Sequence, residues 1–281
     1  MTMRTLPKPI FSYAEVINSC IDGTDNNDLS TRLRNIEASL NTTASTYDIR
    51  AATQSLYLFE QVKSVGMVTK DELQDMYSTH LSATRGNARK YYNALRGAST
   101  KCPLCGVGTV TVLDHHLPKS KYPDLAICPT NLIPACDFCN NAKKAKSPNT
   151  IGEQTLHPYY DDFTQEQWIS ASLNMAGPPT LLYFVLPPPH WDEISKQRVS
   201  RHFSVVNLGH NYTTNATDDI VTLRSPLNRI YASKGSDAVR QYLVGEADRY
   251  SGRVNSWQHI MYQTLASSPQ FINGGFYEIP V

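Results

Sequence analysis

No run of about twenty apolar residues occurs anywhere in the chain, so the sequence offers no membrane-spanning helix. The opening residues, MTMRTLPKPIFSYAEV, lack the apolar stretch of a signal peptide. Charge of one sign is also missing: 26 Lys and Arg stand against 25 Asp and Glu, for a net charge of +1. That balance excludes a globally basic nucleic-acid binder and leaves any such binding to local patches or to a partner. There is no internal repeat, no low-complexity segment and no clear linker; Pro178-Pro179 is the best candidate boundary. Cysteines are few, six in 281 residues, and nothing around them marks a secreted chain. A disulfide framework is therefore disfavoured, and reduced thiols and a cytoplasmic location are expected. The Asn-x-Thr triplets, such as Asn211-Tyr212-Thr213, carry no meaning in that compartment. What the chain does have is ordinary core material: 41% hydrophobic residues, enough for one large or two small domains.

Four of the cysteines fall in two Cys-x-x-Cys turns, Cys102/Cys105 and Cys136/Cys139. Each short turn presents two sulfurs to one metal, and four thiolates suit tetrahedral zinc. A thioredoxin-like redox site needs only one such turn. Bound zinc would supply folding energy to a segment too short for a core of its own. Cys20 and Cys128 lie outside the pairing and read as buried thiols.

Between the knuckles, residues 110–113 are β-branched and apolar and predict a strand ending at Asp114-His115-His116-Leu117-Pro118. Residues 131–136 predict a second strand running into the second knuckle, and residues 140–146 the first turns of a helix. The expected order is strand, loop, strand, helix, tied together by zinc.

On these residues the segment resembles the HNH, or ββα-metal, nuclease family in its zinc-stapled form. The family's Asp-His-x-x-Pro is matched by Asp114 to Pro118. Its middle Asn before apolar residues is matched by Asn131-Leu132-Ile133. Its Cys-x-x-Cys-(His/Asn)-x-x-Lys is matched by Cys136 to Lys143. The third signature position is Asn140 rather than His, and an amide oxygen is a harder ligand that fits Mg²⁺. The likeness covers roughly residues 85–165. Residues 113–123 (LDHHLPKSKYP) and 157–163 (HPYYDDF) narrow it to a bacterial group in which some members serve in anti-phage defence beside an ATPase, as in Septu-type systems.

The resemblance implies phosphodiester hydrolysis, with a base to activate water and a metal to stabilise the leaving oxygen. His115 is the expected base, and a neutral imidazole predicts a rate that rises with pH through the histidine range. Asp114 and Asn140 are the expected Mg²⁺ or Mn²⁺ ligands, with Asn141 the alternative if the helix starts one residue later. Asn131 is expected to fix the loop that carries His115. Lys143 is expected to face a phosphate as a point charge. The cluster Lys143, Lys144 and Lys146 reads as backbone contact or as a solvated helix face. His116 reads as an orienting group, a metal contact or packing. Arg89 and Lys90, interleaved with Tyr91 and Tyr92, read either as a phosphate track or as a solvated face with tyrosines packed inward. His157, in a His-Pro-Tyr turn, reads as docking a tail, with an active-site role as the alternative.

Elsewhere, residues 12–97 read as helical. Ser12-x-x-Glu15 and Thr69-x-x-Glu72 are capping boxes, the second opening a helix expected to run to Leu95. Residues 180–186 (TLLYFVL), flanked by prolines, predict a strand. Asp192 opens a helix, residues 202–208 begin a tail, and residues 237–263 carry a further helix. The expectation is an α+β protein: a helical region at 1–98, the zinc-stapled nuclease motif at 99–165, and a mixed α/β region at 166–281. Its expected partners are DNA and an ABC-type ATPase, with no membrane. The rival readings are a zinc-dependent binding or adaptor module without nuclease activity, and a nuclease directed at RNA.

Overall fold

A computed structural model describes residues 5–280. They gather into two compact units, one of residues 5–104 and 108–161, the other of residues 105–107 and 162–280.

In the first unit, Ser12 begins α1 (Tyr13–Asp22) with a full capping box: its hydroxyl accepts from the Glu15 N–H, and its own N–H donates to Glu15 Oε2 at 2.7 Å. Such a cap is worth about 1 kcal/mol. Val16, Ile17, Cys20 and Ile21 form one buried face of α1. It lies against α2 (Asn27–Ala52), whose Leu33, Ile36, Leu40, Ala44 and Tyr47 recur every three or four residues and are buried. A short hairpin, β1 (Ser64–Val65) and β2 (Val68–Thr69), leads to α3 (Lys70–Asp75). The second capping box, Thr69 with Glu72, opens α3. Glu72 also receives both guanidinium nitrogens of Arg32, at 2.9 and 2.7 Å, and this pairing pulls its carboxyl down to about 2.

The single helix expected from Thr69 to Leu95 is broken. After α3 the chain widens into a π-helical turn over Met76–Leu81 and then leaves helical structure until α4 (Arg89–Gly97). Gly86 sits in the break, where a Cβ would fall 2.1 Å from the His80 carbonyl oxygen. That backbone-to-backbone approach requires glycine, and no helical periodicity announces it.

The segment between the knuckles folds in the expected order. β3 (Val112–His115) pairs antiparallel with β4 (Leu132–Ala135), and α5 (Asp137–Lys143) follows directly with Cys136 as its N-cap residue. The register places Val112 opposite Ala135 and His115 opposite Leu132. β3 lies two residues beyond the expected start and includes Asp114 and His115. α5 begins earlier than expected, so Asn140 and Lys143 lie inside it. Leu113, Leu117, Leu125 and Leu132 join the same buried core as α1 and α2, so the helices and the strand-strand-helix segment share one interior.

In the second unit, β5 (Ile169–Asn174) and β6 (Thr180–Val185) form an antiparallel pair; β6 lies in the TLLYFVL run, while β5 was not foreseen. Asp192 caps α6 (Glu193–Val205) by accepting from the Ser195 N–H. Residues 202–205, expected as the start of a tail, complete this helix. Then α7 (Leu208–Asp248) carries Pro226 and a break at Gly235 (φ +74°), and α8 (Trp257–Ala266) follows. Asn255 pins the first strand: its Oδ1 accepts from the N–H groups of Trp168 and Ile169 at 2.8 and 3.2 Å. Among the described residues, no helix is long and apolar enough to cross a membrane.

Candidate metal centre and adjoining cavity

The side chains of Cys102, Cys105, Cys136 and Cys139 are all buried, and their sulfurs lie within 4.8 Å of one another. Four sulfurs at Zn–S distances would sit about 3.8 Å apart at the corners of a tetrahedron, so the cluster can hold one metal ion such as zinc. Local backbone shapes it. The Cys102 N–H donates to the Gly108 carbonyl at 2.8 Å, the Val107 N–H donates to Cys105 Sγ at 3.4 Å, and Gly106 supplies a positive φ of 72°. Cys20 and Cys128 lie apart as buried thiols, pushed up by burial to about 12 and about 11.

Beside this centre, Asp114 and His115 leave β3 and Asn140 leaves α5 to line one cavity of about 560 Å³. Gln74, Lys119, Asn141 and Lys144 share its wall. His115 Nε2 lies 2.8 Å from the Ala126 carbonyl. A carbonyl only accepts, so the proton sits on Nε2 and leaves Nδ1 as the acceptor. Burial drives the imidazole down to about 3; the Ala126 hydrogen bond opposes this, and the charges of Lys119 and Lys143 add to it. The ring packs edge-on to Tyr77, with centroids 4.6 Å apart.

Asn131 is fully buried and does not line the cavity. Its Oδ1 accepts from the Leu117 N–H at 2.8 Å, and its Nδ2 donates to the carbonyls of Leu117 and Leu125 at 3.0 and 3.2 Å. Its own carbonyl accepts from the His116 N–H at 2.8 Å. These bonds hold both ends of the loop that joins the strands. His116 packs its ring on that of His157, with centroids 4.1 Å apart. His157 is buried, accepts from the Tyr159 N–H at Nδ1, and so donates from Nε2 to Tyr47 Oη at 2.9 Å. The His-Pro-Tyr turn thus docks on α2.

Lys143 lies elsewhere than the sequence suggests. It is only 3% exposed, and its Nζ reaches both Asp114 oxygens, at 3.2 and 3.1 Å, and the His115 carbonyl at 2.5 Å. A lysine on an α5 face turned inward is spent on neutralising a buried carboxylate, so it offers no point charge to a phosphate here. Burial pushes the Asp114 carboxyl up, and Lys143 pulls it back. Arg89 is likewise engaged by the fold: it donates to the Ser82 carbonyl and to Asn93 Oδ1 and lies over the Tyr92 ring. Lys90 is exposed over Tyr91. Neither lines the cavity. Lys144 and Lys146 are exposed.

The residues present fit a hard cation. Asp114 Oδ2 is buried and is engaged only by the ion pair with Lys143 Nζ at 3.1 Å, without an aligned hydrogen bond. The Asn140 side chain, half-exposed at the cavity wall, is the second oxygen donor. Two oxygens beside an open volume suit a Mg²⁺ or Mn²⁺ ion that keeps several waters. Sequence reasoning missed Gln74 and Lys119. Gln74 arrives from α3, 40 residues before Asp114, and no motif links them. Lys119 follows the motif's Pro118 directly, and that adjacency was its one signal.

No family model and no solved structure matches the chain. It is similar to protein ea31 of Escherichia phage lambda, with 28% identity over 296 residues spanning 97% of this chain and 100% of that protein.

Proposed function

We propose that the protein is a metal-dependent endonuclease of the HNH type that hydrolyses phosphodiester bonds in DNA. The observation that carries the reading is the convergence of Asp114, His115 and Asn140 on one cavity, behind a loop tied by Asn131. In this reading the cysteine cluster is structural and binds zinc, while Asp114 and Asn140 hold a second ion, Mg²⁺ or Mn²⁺. When bound, that ion supplies positive charge for the leaving oxygen. His115, fixed through its Nε2–H to Ala126, presents Nδ1 to a water and takes its proton as the water attacks phosphorus. Asn131 positions the loop that carries the base. Work in anti-phage defence beside an ATPase, in the cytoplasm, follows from the sequence resemblance. A relative encoded by a phage fits a setting where phage and bacterial DNA meet.

A zinc-ordered binding or adaptor module is the second reading. It is favoured by the Asp114–Lys143 pair, which covers the carboxylate that a catalytic ion would need. Incubation of plasmid DNA, and of RNA in parallel, with Mg²⁺ or Mn²⁺ separates the readings. The nuclease reading expects divalent-dependent cleavage that EDTA stops and His115→Ala slows by roughly a hundredfold. Intact substrate in every arm, with the protein alone and with whatever co-purifies with it, would leave the binding module.

A further inference from the structure

Lys143 is committed to Asp114, so the cavity needs another cation to receive a phosphate. Two other lysines line it, Lys119 and Lys144. Lys144 is exposed at the end of α5, where its ammonium is hydrated. Lys119 is different. It is half-buried, and its Nζ lies 4.9 Å from the centroid of the Tyr77 ring, the same ring that packs edge-on to His115. One tyrosine therefore seats both the ammonium and the imidazole. Among the described residues no carboxylate forms an ion pair with Lys119; Asp75 acts on it only through space, and burial depresses its basicity. Across the same wall, Gln74 Nε2 is buried with no hydrogen-bond partner. The aromatic face compensates part of the ammonium's lost hydration, but a partly desolvated cation and a buried amide donor without a partner are both satisfied further when an acceptor enters the cavity.

Resting on the nuclease reading, we propose that Lys119 binds the phosphate to be cleaved, with Gln74 as a second donor to its oxygens. The ligand is a phosphodiester of a nucleic-acid backbone. Lys119 meets it with charge and Gln74 with a neutral N–H, beside the base and apart from the Asp114 and Asn140 oxygens that face the metal.

The test is binding of a fluorescein-labelled DNA duplex to the full chain, followed by anisotropy across a salt series in Ca²⁺. Each backbone phosphate neutralised adds about 0.9 to the slope of log affinity against log salt. Lys119→Ala should flatten the slope by about 0.9 and weaken binding about eightfold at 0.1 M salt, which is that slope applied to a tenfold dilution from 1 M. Lys119→Arg should keep the slope, and Lys119→Gln should lose it while retaining the wild-type melting temperature. Gln74→Ala should weaken binding without changing the slope. The proposal is overturned if Lys119→Ala and Lys119→Gln bind with wild-type affinity and slope, if the loss appears in Lys144→Ala instead, or if the wild type does not bind. The nuclease reading fails separately, when the wild type binds the duplex but Mg²⁺ and Mn²⁺ produce no cleavage.

Discussion

Replacing Lys143 with methionine tests the buried pair directly. Methionine keeps most of the side-chain volume, so packing changes little while the ammonium is lost. Asp114 is then left 5% exposed without the Lys143 ammonium, and the His115 carbonyl loses its donor. Removing one partner of a buried pair costs about 3–5 kcal/mol. At about 2–4 °C per kcal/mol for a unit of this size, the melting temperature should fall by roughly 6–20 °C. The sign of the pH dependence follows. With Lys143 gone, the Asp114 carboxyl, already raised by burial, loses the charge that pulls it down and rises further above its unfolded value. The fold then favours the protonated acid, so the deficit is fully present at neutral pH and shrinks as pH falls through the raised folded value. The double variant Asp114→Asn with Lys143→Met removes both charges and should recover at least half of the loss. Thermal denaturation of the three proteins at pH 5 and pH 7.5 reads all of this. A Lys143→Met protein melting within about 2 °C of wild type at neutral pH would mean that the pair contributes under about 1 kcal/mol, and the placement of Lys143 would be wrong.

Purified protein should carry one zinc per chain by elemental analysis, resistant to mild EDTA, and Cys136→Ser should lose solubility as well as metal. His115, held at about 3, is neutral from pH 5 to 8, so the cleavage rate should show no rising limb near pH 6.5; a midpoint there would contradict its burial. Its folded value lies below the unfolded one, so the stability it contributes is present above about pH 6.5 and is lost as pH falls toward 3, which acid titration of the fold will register. Asn140→Ala should abolish cleavage and leave zinc content and melting nearly unchanged, because its half-exposed side chain lines the cavity apart from the four cysteines; loss of zinc would mean that it serves the thiolate site instead. Asn131→Ala should destabilise by about 2–4 kcal/mol, since it leaves buried backbone groups of Leu117 and Leu125 unpaired.

Local chemistry made part of this molecule legible. The two capping boxes and the two knuckles are short-range devices: Ser12, Thr69 and the four cysteines act within a few residues of themselves, and the structure places them as their spacing implies. What sequence could not yield is decided across the fold. Lys143 looks like a surface charge because its role depends on Asp114, 29 residues away, turning toward the same side of α5. His115 reads as an ordinary imidazole until its burial against Tyr77 is known, and that burial lowers its basicity. The break between the π-helical turn and α4 holds one close backbone approach, Gly86 to His80, that no local pattern announces. β5 escaped notice because its Ser170, Ala171 and Ser172 give little alternation, and only pairing with β6 makes them a strand.

Asp114 and His115 are adjacent at the end of a strand of four residues, Asp114 paired with Lys143 and His115 with the Ala126 carbonyl. A slip of one residue between β3 and β4 would turn both to other faces, taking Asp114 from Lys143 and His115 from the Ala126 carbonyl. Strands so short have little pairing of their own to resist this. Cys136 follows the last residue of β4, and the Thr111 N–H donates to the Ala135 carbonyl at 3.0 Å. An ion in the thiolate cluster would therefore fix where β4 ends, and with it the register that carries Asp114 to Lys143 and His115 to the Ala126 carbonyl. A metal in the thiolate cluster would act as a setting of phase: its removal would loosen the strand register before it unfolds the chain.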